Sequence, residues 1–239
     1  MIAALRFLTV LPLPGAHRAP GAWSVVAFPL VGAVVGLVWL AVAVVGEPFV
    51  PSTLLLAALI LVADAVVTGG LHLDGLADVT DGVASRRPAE DAVRIMRESA
   101  VGAGGVLALV LVVLVRQAAL LSVLGLDPRP WSLLSVPIAG RTAMVVLMAV
   151  LSPRTDASLV HAIPRPGPAV TAATVAVAAA ATAPLGLRAL AVLILALGAT
   201  LGYAAWWRRR FGGLSGDGVG ACGVLIETLA LLGLVIGTP

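Results

Sequence analysis

The chain has 239 residues, of which 60% are hydrophobic and only 11% charged. A soluble domain is about half apolar and about one quarter charged, so this chain cannot cover a water-facing surface. Its formal net charge of +3 is too thin for a phosphate-binding face, which excludes nucleic acid as a partner along with the soluble and disordered classes. What remains is an all-α, polytopic membrane helix bundle, read as one integral membrane domain over residues 1–239.

In chain order, the segment Ile2–Leu13 is apolar but too short to cross a bilayer, and fits an interfacial or re-entrant piece. It carries Arg6, is followed by Pro12 and Pro14, and lacks a small-residue cleavage site, so it reads as retained rather than as a signal peptide. About 20 apolar residues cross a bilayer. Seven stretches meet that measure: Ser24–Gly46, Thr53–Leu71, Val101–Gly125, Ser132–Leu151, Ala169–Pro184, Ala189–Trp207 and Val219–Gly237. The fifth is short, and Leu185–Arg188 allows only a tight reversal; if it and its successor form one broken helix, the count is six. No internal repeat and no shift of composition divides the chain.

The cations test this layout. All fifteen are Arg. With the N-terminus on the cytoplasmic side, that side receives Arg6, Arg18, Arg86, Arg87, Arg94, Arg97, Arg154, Arg165 and Arg208–Arg210, and the other side only Arg129 and Arg188. Arg116 and Arg141 fall within spans. Such a bias orients the bundle with its long loops facing the cytoplasm of a cell membrane. The Arg208–Arg210 run reads as a headgroup anchor.

Six of the twelve acidic residues lie between His72 and Ala100. Asp74, Asp78 and Asp81 stand at relative positions 0, 4 and 7, which on a helix puts them on one face. Two carboxylates about 6 Å apart, at an effective dielectric near 20, repel by almost 3 kcal/mol. A bound divalent cation relieves that repulsion, and oxygen-only ligands suit Mg²⁺ or Mn²⁺; the bland alternative is a solvated acidic helix end. Zinc is disfavoured, because Cys222 is alone and His17 and His161 stand far from His72 without ligand-like spacing. His72 itself reads either as a structural residue or as a substrate contact.

Arg97 and Ser99 precede Gly102, Gly104 and Gly105 at the opening of a span. Glycine amides, a helix N-terminus and a guanidinium make an anion site, although small residues also serve close helix packing. Asp217 opens the last span from the same side as the Asp74–Asp81 group. Asp64, Arg116, Arg141 and Glu227 lie within spans, where ionisable groups are costly and functional by default; mutual neutralisation is the alternative, for example Arg141 with Glu227 or Asp64.

These motifs resemble cobalamin synthase, the adenosylcobinamide-GDP ribazoletransferase family of vitamin B12 assembly. The resemblance starts at Phe7-Leu8-Thr9-Val10-Leu11-Pro12 and Phe28-Pro29-Leu30-Val31-Gly32 and centres on the run Gly70–Gly82. It continues through Ile95–Ser99 and Gly140-Arg141 and ends with Leu214–Ala221 and Glu227. Two positions depart from the family pattern: Glu98 stands where Asp is usual, so it is not assigned to metal, and Ser215 where Thr is usual.

The resemblance implies transfer of the cobinamide-phosphate group of adenosylcobinamide-GDP to alpha-ribazole or its 5'-phosphate. GMP is released, and Mg²⁺ is required. On that basis Asp74, Asp78, Asp81 and Asp217 are the expected metal ligands, with Asp81 or Asp78 as general base. His72, Arg97, Ser99, Arg141 and Asp217 are the expected substrate contacts. The chain is compatible with a homo-oligomer. Two alternatives stay open on the residues alone: a phospholipid synthase of the CDP-alcohol phosphotransferase kind, whose later Gly-x3-Asp-x3-Asp pattern is missing here, and a transporter using the charges within spans.

Overall fold

The computed structural model describes residues 1–13, 20–21, 23–126, 130–154 and 163–236. His17, Arg18, Arg129, His161 and the final residue of the seventh expected span lie outside the described residues. Within them the chain forms ten α-helices: α1 (Ile2–Leu8), α2 (Phe28–Gly46), α3 (Thr53–Thr68), α4 (Leu71–Ala84), α5 (Ala89–Ile95), α6 (Ala103–Leu126), α7 (Ser135–Val150), α8 (Pro168–Thr182), α9 (Leu187–Phe211) and α10 (Gly216–Val235).

Six helical segments are long and apolar enough to cross a membrane: Ser24–Gly46, Ala103–Gly125, Trp131–Val150, Pro168–Leu185, Leu187–Phe211 and Gly216–Val235. The pair α3 and α4 makes a seventh only as a bent unit, since the two helices meet at 92°. The cause is local. Gly69 and Gly70 both hold positive φ, +65° and +67°, a conformation that side chains with a Cβ resist. The Ser52 hydroxyl starts α3 by accepting from the Leu55 N–H at 3.3 Å, and the glycine pair ends it. Thus α4 turns sharply away from the direction of α3. The fifth and sixth stretches are separate helices: Pro184 sits in a short 3₁₀ turn, Ala183–Leu185, and Gly186 follows with φ +99°.

Helix α7 is the axis of the bundle, buried at every position from Ser135 to Met148, and packs on α2, α9 and α10. The outer helices do the reverse: α6 exposes Leu107, Val110, Leu111 and Leu114, and α9 exposes Ile194 and Leu201. A continuous outer surface of Leu, Val and Ile suits lipid and not water, so the chain is an integral membrane protein. The short α1 is held against the bundle where the Val10 N–H donates to the Val67 carbonyl at 2.9 Å.

The ionisable residues inside the bundle neutralise one another. Arg116 lies 3.6 Å from Asp64 and also pairs with Glu227, which in turn meets Arg141. The Trp39 indole N–H donates to Asp64 at 3.2 Å, and the Arg116 Nε donates to the Thr228 hydroxyl at 3.1 Å. The four charges come from α3, α6, α7 and α10, so the network ties four helices together at a depth where water cannot solvate them.

Candidate active site

Helix α4 carries Asp74, Asp78 and Asp81 along one face. Opposite it, α10 begins at Gly216. The Ser215 hydroxyl accepts from the Gly218 N–H at 3.1 Å, the N-cap bond that fixes a first turn, and Asp217 sits in that turn. The loop before it is pinned as well. The Leu214 N–H donates to the Ser152 carbonyl at 2.8 Å, the Arg154 N–H to the Leu214 carbonyl at 3.0 Å, and the Trp207 indole to the Gly213 carbonyl at 3.0 Å.

Helices α4 and α10 share the most extensive packing in the bundle. Gly75 permits it: a Cβ there would stand 2.9 Å from the Asp217 carbonyl oxygen. Small residues let membrane helices approach backbone to backbone, and here the approach brings two carboxylates from distant parts of the sequence to one place. Asp74 and Asp217 line a single cavity together with His72.

The electrostatics report the same crowding. Burial, and then the charges of Asp74, Asp217 and Asp81, push the Asp78 carboxyl up from its ordinary 3.8 to about 6. Arg97, in the exposed turn between α5 and α6, stands close enough for its charge to act on Asp217. Ser99 is exposed in the same turn. His72 is buried, and burial together with Arg141 and Arg116 holds its pKa well below the usual imidazole value, so it is neutral. Among the described residues no three carboxylate, imidazole or thiol groups converge on one point as a ready-made metal cage.

Two expectations need correction. Asp81 is engaged as a helix cap: its carboxylate accepts from the Gly102 N–H at 2.7 Å and from the Gly105 N–H at 2.8 Å. The amides expected to cradle a phosphate therefore hold a carboxylate of the chain itself, which answers the positive end of the α6 dipole. The glycines are needed because a Cβ at Gly102 or Gly105 would stand 2.5 or 2.6 Å from an Asp81 oxygen. Arg141, expected at the substrate, is only 1% exposed and belongs to the buried network with Glu227. It does not line the cavity of Asp74 and Asp217.

Sequence reasoning missed the walls. The cavity that contains Asp74 and Asp217 continues into an apolar recess of Phe7, Phe28, Met144, Met148 and Ile163. A wider, more open groove that also reaches Asp74 carries Arg6, Thr9, Thr68 and Ala77. Phe7 and Leu71 also border both spaces. The Phe7 and Phe28 motifs were visible in the sequence, but nothing local tied them to Asp74.

Comparison with known proteins shows the family. A family model described as cobalamin-5-phosphate synthase matches residues 1–235. A protein from Roseiflexus sp. (strain RS-1) named adenosylcobinamide-GDP ribazoletransferase is 36% identical over 242 residues, covering 99% of this chain and 89% of the relative. Relatives of the same name from Klebsiella pneumoniae (strain 342) and Syntrophobacter fumaroxidans are 36% and 38% identical. They cover 98% and 95% of this chain, and 98% and 94% of their own lengths. No solved structure matches the chain. Those names favour the transferase over the phospholipid synthase and the transporter, and the chain belongs to the cobalamin-5-phosphate synthase family.

Proposed function

We propose that this chain is an adenosylcobinamide-GDP ribazoletransferase that works with Mg²⁺ at the cytoplasmic face of the cell membrane. The observation that carries the reading is the meeting of Asp74 and Asp217 in one cavity, with Asp78 crowded beside them. A hydroxyl of alpha-ribazole, or of its 5'-phosphate, attacks the phosphorus attached to cobinamide. The bond from that phosphorus to the GMP oxygen breaks, and GMP leaves.

The donor set fits the cation. Magnesium is usually held by one or two carboxylates, with water and substrate phosphate completing the coordination. A full protein cage is therefore not needed, and Asp74 and Asp217 would hold the ion. When bound, Mg²⁺ neutralises charge on the diphosphate and on the departing GMP.

The protein's own groups do the rest. Asp78, raised to about 6 by burial and then by its acidic neighbours, is largely ionised at neutral pH and basic enough to take the hydroxyl proton. Arg97 places a guanidinium near Asp217 where it can hold diphosphate oxygens, and Ser99 offers a hydroxyl from the same turn. Asp81, capping α6, holds the Gly102–Gly105 turn that follows Arg97 and Ser99 in place. Alignment and charge neutralisation are what such phosphoryl transfers need. The Arg208–Arg210 run ends α9 just before the loop that leads to Asp217, and Arg210 donates to the Arg87 carbonyl beyond α4. This gathering of arginines near the site supports placing it in the cytoplasm.

The test is a vesicle assay with adenosylcobinamide-GDP and alpha-ribazole, with and without Mg²⁺. One GMP per corrinoid product, dependent on Mg²⁺, is expected; absence of GMP would reject the assignment.

A further inference from the structure

The two spaces that meet at Asp74 differ in chemistry. One is the enclosed recess walled by Phe7, Phe28, Met144, Met148 and Ile163. The other is the open groove that carries Arg6, Thr9 and Thr68. A transferase with two large substrates must bring each to the same carboxylates from its own side, and the difference between the walls sorts them.

We propose that the enclosed recess seats the fused aromatic base of the acceptor nucleoside and sets which bases are accepted. The inference rests on the transferase reading above and adds the acceptor's subsite to it. Three observations support it. The Phe7 and Phe28 rings lie roughly parallel with centroids 6.2 Å apart, and aromatic faces of this kind favour a flat apolar partner. Met144 and Met148 line the recess as well, and unbranched thioethers adjust to an inserted ring. Asp74, Asp217 and His72 line the same cavity as these apolar walls. A base in the recess therefore leaves its sugar hydroxyls beside the carboxylates.

The donor's parts suit the recess poorly. Guanine would set its amide edge against Phe and Met, leaving buried polar groups unpaired. A corrin macrocycle is too broad for an enclosed slot between helices and suits the open groove. An alkylated benzimidazole is flat, apolar and bicyclic, and it matches the Phe, Met and Ile walls.

The experiment is steady-state kinetics of the full chain in vesicles, with benzimidazole and dimethylbenzimidazole as inhibitors. Both should compete with alpha-ribazole and not with adenosylcobinamide-GDP, dimethylbenzimidazole the more strongly. Met148→Trp, which fills the recess, should raise the acceptor KM and the inhibition constant at least tenfold while the donor KM stays within twofold. Met148→Ala, which cannot overpack the core, should narrow the preference for dimethylbenzimidazole over benzimidazole. Wild-type turnover with inhibition competitive against the donor, or with neither variant moving the acceptor KM, would overturn the recess assignment and leave the transferase reading standing. Absence of wild-type GMP release would instead overturn the transferase reading.

Discussion

The Asp81 carboxylate accepts a 2.8 Å hydrogen bond from the Gly105 amide, joining the acidic face of α4 to the start of α6. Its other oxygen takes the Gly102 amide at 2.7 Å. Loss of such a cap costs about 0.5–2 kcal/mol. Asp81→Ala should lower the thermal midpoint of the detergent-solubilised protein, and Asp81→Asn, which keeps one acceptor oxygen, should lower it less. Equal loss in both would argue against capping as the residue's main task.

Asp78 should behave in the opposite way. Its carboxyl titrates near 3.8 when unfolded and near 6 in the fold. The folded state therefore binds the extra proton between those values, and the stabilisation present below pH 3.8 is lost as pH rises through 6. Asp78→Asn should then be no less stable than wild type at pH 7, while kcat falls about 10²–10⁴-fold with loss of a general base. In the wild type, turnover should decline below pH 6 as the same carboxyl is protonated. A pH–rate profile with no acidic limb between pH 5 and 7 would contradict this role.

The spacing between α4 and α10 is set by Gly75, whose missing Cβ leaves the Asp217 carbonyl room. Gly75→Ala should force the two helices apart and separate Asp74 from Asp217. The expected result is a rise of about tenfold or more in the Mg²⁺ concentration for half-maximal rate, since small misplacements at such sites cost up to about a hundredfold. Titration of activity with Mg²⁺ checks it.

The buried network predicts a pattern of coupling. Arg116→Met leaves Asp64 and Glu227 without their shared cation, and breaking a buried pair costs about 3–5 kcal/mol. Glu227→Leu combined with Arg141→Met should destabilise less than the sum of the two single changes, because the two side chains are in direct contact and the pair removes together an interaction that each single change breaks. Thermal unfolding in detergent of the two singles and the double measures the coupling.

Much of this architecture was legible in the sequence, for reasons that differ by element. Crossing helices announce themselves by length and apolarity, and Asp74, Asp78 and Asp81 share a face because helical spacing is local. The pairing of Arg141 with Glu227 was foreseen as an alternative, since a bilayer gives buried charges few other solutions. The use of Gly102 and Gly105 was not legible. A glycine-rich helix start can hold a phosphate or a carboxylate, and only the packing of α6 on α4 shows that Asp81 takes the place. The recess was hidden for the same reason: Phe7, Phe28 and Met148 are far apart in the chain, and no local pattern joins them.

The central claim is that Asp74 and Asp217 grip one cation between α4 and α10. Titrating the purified protein with Mn²⁺ and following the free ion by electron paramagnetic resonance, in the presence of a non-reacting nucleoside diphosphate, tests it most directly. The account predicts that wild type binds the ion and that Asp74→Asn and Asp217→Asn each weaken binding at least tenfold. Unchanged Mn²⁺ binding in both variants would contradict it.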